Sequence, residues 1–195
     1  MTLTISKQDI VPLNVYRQGR DEYVKKMIDY KKTRRIKLGE YISILFENKN
    51  TVLFQILELL HSEDLEDPAE IEEYLDIYSG MLPGENELSA TLFIELDNQE
   101  KLQDLLVKLK GIEHHLTLTI AGETNQAVFE EEHDDRDFTT SVHYLKFPLT
   151  QTAINLLTGS SADSIDVKLI LNHPSLTASV TLSPNNISSI QKDLV

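Results

Sequence analysis

The chain has 195 residues, of which 41% are apolar and 26% charged, a composition that fits a globular protein and excludes a disordered or fibrous one. It contains no cysteine, so disulfides, thiolate metal sites and iron–sulfur clusters ligated by this chain are excluded. Its net charge of −14 divides into +5 over residues 1–50 and −19 over residues 51–195, a balance that disfavours nucleic acid as a partner.

The first half of the chain predicts helices that alternate with single strands. Tyr23, Met27 and Tyr30 recur at helical spacing, which predicts an amphipathic helix over residues 20–35. The basic run KKTRRIK, residues 31–37, would then place cations at the negative end of that helix. Asp67-Pro68 is the start signal of a later helix. The other elements predicted here are a strand over 41–46, a helix over 51–62 and a strand over 88–96.

The second half is richer in strands. A helix after Asp97 carries leucines at helical spacing and ends at Gly111, after which the apolar period changes to two. Residues 116–120 and 127–129 are predicted to form a hairpin around the turn Gly-Glu-Thr-Asn. The other predicted elements are strands over 139–147, 165–171 and 176–182, a short helix over 153–157 and a terminal helix capped by Ser183-Pro184. Because several strands follow one another without a helix between them, we expect an α+β fold, a mainly antiparallel sheet with helices packed on it.

No linker or repeat divides the chain, so residues 1–195 are predicted to form a single α+β domain. The segment 150–195 is plainer in composition and could be a peripheral appendage to the same core. The most apolar stretch, residues 51–60, is too short to cross a bilayer and contains Gln55 and Glu58. The N-terminus lacks the pattern of a signal peptide. We therefore expect a cytoplasmic protein without a membrane partner. Its acidic surface is interpreted as serving solvation, with attraction of a basic partner or of divalent cations as the alternatives.

Short motifs of the common enzyme classes are missing: the sequence has no glycine-rich phosphate loop and no GxSxG nucleophile elbow. Glu58 and His61 have the Glu-x-x-His spacing of di-iron bundles, but such sites need two copies, so a pair on a helix surface is the better interpretation. The acidic run EEEHDDRD, residues 130–137, lacks the ligand spacing of an EF-hand. It is interpreted as a solvated loop, with weak divalent binding as the alternative.

Histidines and arginines supply the other polar candidates. His114 and His115 precede a strand and point to opposite faces, so they cannot hold one metal ion together. His143 shares a strand face with apolar residues, which indicates a half-buried, hydrogen-bonded structural histidine rather than a ligand. Arg34 and Arg35 are explained by helix-end electrostatics, with an anion site as the main functional alternative. Binding of RNA or phosphate by residues 31–37 is a third, weaker hypothesis.

The sequence resembles one family in five blocks: LTISKQDIVPLNVY, RRIKLGEYISILFENKNTVLFQILELL, MLPGENELSATLFIEL, KLKGIEHHLTL and TTSVHYLKFPL. Over about residues 3–150 they are similar to an uncharacterised bacterial family catalogued as a domain of unknown function, number three thousand five hundred and one. The resemblance implies no catalytic residues. Genes of this family often lie beside those of rubrerythrin-like and iron–sulfur-binding proteins, which implies an accessory role in redox or iron metabolism through a protein partner. The ligand-binding candidates inside the blocks are Arg34, Arg35, Glu47, Gln55, Glu58, Glu113 and His143.

Two hypotheses from different classes follow. The first is a non-enzymatic binding or accessory protein that has no cofactor of its own and acts with a partner in redox or iron metabolism. The second is an enzyme or metal-binding protein in which Glu47, Gln55, Glu58 and His143 converge on one pocket and one of the two arginines holds an anion. The missing nucleophile and cofactor motifs favour the first.

Overall fold

The computed structural model describes residues 4–131 and 135–194. Within these residues there are six α-helices: α1 (Leu13–Lys32), α2 (Lys49–Ser62), α3 (Pro68–Ser79), α4 (Gln99–Lys108), α5 (Gln151–Gly159) and α6 (Pro184–Gln191). The same residues contain nine strands: β1 (Arg35–Leu38), β2 (Ile42–Glu47), β3 (Glu87–Ile94), β4 (Leu116–Ile120), β5 (Glu123–Gln126), β6 (Val128–Phe129), β7 (Val142–Pro148), β8 (Val167–His173) and β9 (Leu176–Thr181). Two 3-10 helices, Lys7–Asp9 and Ile112–His114, precede α1 and β4.

The strands form two sheets, and the expected α+β class is confirmed. In sheet A the strand order is β1-β2-β3-β7-β6, and in sheet B it is β5-β4-β8-β9. Every neighbouring pair in the two sheets is antiparallel, as the succession of strands in the sequence indicated. The strands are therefore divided between two sheets, where the sequence led us to expect one.

The main hydrophobic core joins the inner faces of the two sheets. Alternate residues of β2, β3 and β7 enter it from sheet A, and alternate residues of β4 and β8 enter it from sheet B. The segment after Thr150 contributes to the same core through Leu157 of α5, Leu169 of β8 and Ile187 of α6. A second, smaller cluster joins α2, α3 and Ile5, and Tyr144 packs against it from the outer face of sheet A. Helices α1, α2 and α3 thus form a layer over that outer face.

The first helix begins earlier and ends sooner than the periodicity predicted. α1 starts at Leu13 and ends at Lys32, so only Lys31 and Lys32 of the basic run lie in its last turn. Residues Arg35–Leu38 form β1 instead, because alternate side chains of this segment are buried in the main core. Helix-end electrostatics therefore explains the first two cations of KKTRRIK, and the prediction that it explains the whole run was wrong.

The predicted hairpin forms around a different turn. Ala121 and Gly122 occupy the turn with positive φ values of 49° and 90°, as a type I′ hairpin turn requires. Directly after this turn, Glu123–Gln126 forms β5 and pairs with β4. Val128–Phe129 was expected in this hairpin, but it leaves sheet B and pairs with β7 of sheet A as β6.

Most of the helix-start signals are confirmed. The Asp67 side chain accepts hydrogen bonds from two backbone N–H groups of α3, and Ser183 caps α6. The residue that caps α4 is Asn98, which follows Asp97. In the part of the chain that the structure describes, no helix combines the length and the apolar character needed to span a membrane.

Candidate functional site

A strip of polar side chains lies on the outer face of sheet A, beneath the helices. Ser43 and Glu47 of β2 and Ser89 and Thr91 of β3 are each no more than 3% exposed. Glu47 Oε1 accepts a hydrogen bond of 2.7 Å from the Thr91 hydroxyl, whereas Glu47 Oε2 is buried and has no partner among the described residues. A buried carboxylate oxygen without a donor is costly, so the structure gives its own reason to treat Glu47 as a binding candidate.

Tyr144 is near two of the sequence candidates, since it shares a hydrogen bond with Gln55 and is affected by the charge of Glu47. Burial raises the pKa of the Tyr144 hydroxyl, and a hydrogen bond with Gln55 partly offsets that rise. The nearby Glu47 carboxylate adds to the raised pKa because its charge disfavours a phenolate. Burial lowers the pKa of Lys31, and the attraction of Glu47 acts against that shift. Two of the sequence candidates, Glu47 and Gln55, therefore lie near Tyr144. Lys31 also lies near Glu47.

Glu58 belongs to a different contact, the interface of α1 with α2. Arg20 donates hydrogen bonds of 2.8 and 2.7 Å to the Glu58 carboxylate, and the Tyr16 hydroxyl donates another of 2.7 Å. The Arg20 hydrogen bond is the main reason that the pKa of Glu58 lies below its usual value. His61 accepts a hydrogen bond of 3.3 Å from Arg17. Both members of the Glu-x-x-His pair thus contact α1 from α2.

Arg34 and Arg35 have separate partners. The guanidinium of Arg34 is buried and makes five hydrogen bonds, to the carbonyl oxygens of Phe46, Glu47 and Ser189, the Ser189 hydroxyl and the Asp193 carboxylate. These bonds occupy its full set of N–H donors, so none is left for an anion. Arg35 lies over the Phe93 ring at 4.8 Å and donates a hydrogen bond of 3.1 Å to the Ser43 hydroxyl.

His143 and Glu113 meet on the inner side of sheet A. The Thr139 hydroxyl lies 3.2 Å from Glu113 Oε1 and 3.0 Å from His143 Nε2, and the three residues are buried. The Phe129 ring packs edge-on against the imidazole, with 5.3 Å between the ring centroids. The expected hydrogen-bonded state of His143 is confirmed, and its burial is more complete than predicted. Glu113 Oε2 is buried and, within the described residues, has no hydrogen-bond partner.

The four side chains of the second hypothesis lie in three places. Glu47 and Gln55 are both near Tyr144, Glu58 contacts α1, and His143 is buried on the other face of sheet A. Strand alternation is the reason for the last separation, since neighbouring residues of β7 point to opposite faces. These four residues therefore do not form a common pocket in the fold.

The residues that connect the candidates were missed by sequence reasoning. Thr91 donates a hydrogen bond to Glu47, and Thr139 links Glu113 with His143, but a hydroxyl in or beside a strand gives no distinctive pattern. Ser89 and Thr91 alternate with apolar residues, which indicates an exposed polar face until the covering helices are known. The predicted loop EEEHDDRD includes residues 132–134, which lie outside the described residues. Among the residues that are described, no group of three or more His, Asp or Glu is arranged to hold a metal ion.

A groove on the helical layer, here called the apolar groove, was not predicted. It has a volume of about 510 Å³ and lies between the start of α1, the C-terminal half of α2 and the start of α3. Three of the described residues that line it are polar, namely Lys7, Asn14 and Glu66. The others are Ile10, Val11, Pro12, Leu13, Leu57, Leu60, Leu65, Pro68 and Ile71. Its size and lining resemble those of sites that hold a small molecule or a few side chains of a partner.

Seven exposed carboxylates lie on residues 63–73, the segment that supplies Leu65, Glu66, Pro68 and Ile71 to the lining of the apolar groove. This acidic rim consists of Glu63, Asp64, Glu66, Asp67, Glu70, Glu72 and Glu73, and residues 63–73 include no Lys or Arg. Within the described ranges two of the seven form ion pairs, Asp64 with Arg17 and Glu72 with Lys7. The rim alternates in sequence with groove residues such as Leu65 and Ile71, so charge and apolar surface lie side by side.

The comparisons with known proteins identify relatives but no activity. A family model described as Protein of unknown function (DUF3501) matches residues 4–194, which confirms the resemblance and extends it beyond Thr150. The chain is similar to a solved structure from Burkholderia pseudomallei K96243, described as a novel protein of unknown function, with 28% sequence identity and a TM-score of 0.91. That match covers 99% of this chain and 100% of the other. No curated protein matches the chain.

Proposed function

The chain belongs to this family of unknown function, and we propose from its own residues that it is a non-enzymatic accessory protein that docks a partner protein at the apolar groove. The observation that carries the proposal is the groove itself, an opening of about 510 Å³ with apolar side chains at the surface. Val11 and Pro12 in its lining are exposed, and Val11 is 42% exposed. A contiguous exposed apolar surface of this kind marks an interaction site.

The polar candidates support an accessory role rather than catalysis. Arg34 directs all its donors at internal acceptors, and Glu58 is held by Arg20 and Tyr16. Both therefore serve the packing of the fold, and neither is free to bind a substrate. The groove, in contrast, has apolar side chains whose burial would stabilise a complex.

The partner protein is one that handles electrons or iron. The family resemblance implies a partner in redox or iron metabolism, and the chain has no cysteine with which to ligate a cluster of its own. We propose that such a partner carries the redox centre or iron while this chain binds it through the groove.

Site-specific photo-crosslinking in the native host tests this function. A photoreactive residue at Val11 is expected to capture a partner protein that the same residue at Val107 does not capture. Val107 is a matched control because it is 54% exposed and lies on α4, away from the groove. Identical products at both positions, or none at Val11, would contradict docking at the groove. A captured partner without iron or a redox cofactor would remove the redox part and leave the docking function.

A second candidate function has one specific observation in its favour. The buried group of Glu113, Thr139 and His143 lies beside a cavity of about 220 Å³ that His143 lines with Glu130 and Glu131. A hydroxyl between an imidazole and a carboxylate is an arrangement suited to proton transfer or to binding a small polar ligand. A thermal-shift screen of small polar metabolites tests it, with Glu113→Gln as the comparison. A ligand that stabilises both proteins equally would argue against a role for this group.

A further inference from the structure

We propose that the apolar groove receives a basic amphipathic helix of the partner protein. This inference rests on the proposed docking function and adds the chemical class of the segment that is bound. Apolar side chains of the helix would enter the groove, and its Lys or Arg side chains would face the acidic rim. Helix-in-groove recognition of this type uses an apolar face for affinity and flanking charges for orientation.

The walls of the apolar groove suit a helix with one apolar face. Leu57 and Leu60 of α2 are 5% and 3% exposed and form its deep part, while Ile71 of α3 lines the opposite side. At the surface, Val11 in the lining is 42% exposed.

The charges around the groove select a cationic partner. Five of the seven rim carboxylates have no ion-pair partner in the part of the chain that the structure describes. The two cations beside them, Lys7 and Arg17, are already paired with Glu72 and Asp64. Because exposed charges act over about 8 Å at physiological salt, this rim attracts Lys and Arg and repels a carboxylate. An anionic ligand such as a fatty acid is disfavoured for the same reason.

A second copy of this chain is a poorer occupant. The chain carries a net charge of −14, and residues 51–195 alone carry −19, so copies repel one another at long range. The basic residues 1–50 are the one part that could approach the rim of another copy. The test below includes this outcome, because self-association through the groove would contradict the proposal.

Two synthetic helical peptides with the same apolar face test the charge requirement. One carries Lys on its polar face and the other carries Glu, and the binding of each to the full chain is followed by fluorescence anisotropy. At low salt we expect the Lys peptide to bind at least about tenfold more tightly than the Glu peptide, with an advantage that shrinks as salt rises. Equal binding of the two peptides would overturn the inference.

Paired variants locate the binding surface. Glu66→Lys with Glu70→Lys reverses two rim charges, and Glu100→Lys with Asp104→Lys makes the same change of net charge on α4. All four residues are exposed, so each variant should fold. We expect the rim variant to bind the Lys peptide about tenfold more weakly than wild type does. The α4 variant should lose less than twofold in affinity, because screening confines the effect to nearby charges. Equal effects of the two variants would show attraction by net charge alone and overturn the inference.

A serine substitution separates this inference from the proposed docking function. Val11→Ser should weaken the Lys peptide, while the control Val107→Ser should not. If Val11→Ser weakens the binding of both peptides equally and peptide charge has no effect, docking at the apolar groove stands, and the inference that the bound helix is basic is wrong. If Val11→Ser weakens neither peptide, both proposals fail. Self-association that is abolished by Val11→Ser, measured by sedimentation, would identify a second copy as the occupant and overturn the inference.

Discussion

The buried ion pair of Arg34 with Asp193 leads to the largest stability change that we expect from a single substitution. The two side chains are 1% and 5% exposed, and Asp193 Oδ2 accepts a hydrogen bond of 2.5 Å from Arg34. Asp193 Oδ1 accepts a second hydrogen bond of 3.0 Å from Asn48, the residue that caps α2. Asp193→Ala removes both contacts and leaves the guanidinium charge buried without its counter-ion.

The expected cost follows from these contacts. Breaking a buried ion pair by removing one partner typically costs about 3–5 kcal/mol. Four of the five hydrogen bonds of Arg34 remain, so we expect a loss near the lower end, about 3 kcal/mol in the free energy of unfolding. The exposed pair of Glu22 with Lys26 has side chains 78% and 70% exposed, so Glu22→Gln should cost far less, because solvent and salt screen an exposed pair.

Urea unfolding followed by circular dichroism measures both losses. Asp193→Ala should lower the urea midpoint far more than Glu22→Gln, without a change in slope. If the two variants lose equal stability, burial does not determine the strength of the Arg34 pair and the reasoning is refuted. The double variant Arg34→Met with Asp193→Leu should recover part of the loss, because no unpaired charge is then buried.

Three further outcomes are expected. Arg20 holds the pKa of Glu58 below its ordinary 4.5, so this contact contributes stability above the ordinary pKa and loses it as pH falls through the lowered value. The difference in unfolding free energy between wild type and Glu58→Gln should therefore be constant above pH 4.5 and shrink below it, and a difference that grows in acid would contradict this. Glu47→Gln keeps an acceptor for the neighbouring threonine and removes a buried carboxylate whose Oε2 has no hydrogen-bond partner among the described residues, so it should raise stability at pH 7 by about 1 kcal/mol in urea unfolding. A loss would instead indicate a bound species at Oε2. Gly19→Ala in the exposed middle of α1 should stabilise by about 0.5–1 kcal/mol, whereas Gly122→Ala, at φ 90°, should destabilise by about 1 kcal/mol although neither new methyl group meets a neighbour.

Much of the fold could be predicted because its signals are local. Asp67 and Ser183 mark helix starts through hydrogen bonds made within one turn, so nearby residues suffice to recognise them. The alternation in β7 similarly indicated that His143 faces the core. The basic run, residues 31–37, failed as a local signal for a helix end. Its last residues belong to the strand Arg35–Leu38, which is extended because Ile36 and Leu38 are buried by distant residues. A contact of that kind overrides helical periodicity and leaves no mark in the neighbouring sequence.

The sequence by itself determined the α+β class, the uneven charge and the absence of thiol chemistry. It also indicated, through five blocks of similar sequence, the family to which the chain belongs. These properties depend on composition or on residues close together in the chain. Only the tertiary structure decided that Glu113 meets His143 through Thr139, that Arg34 is fully occupied, and that the acidic run 63–73 borders the apolar groove. Each of these contacts joins elements far apart in sequence, so each exists only once the two sheets and the helical layer have packed together.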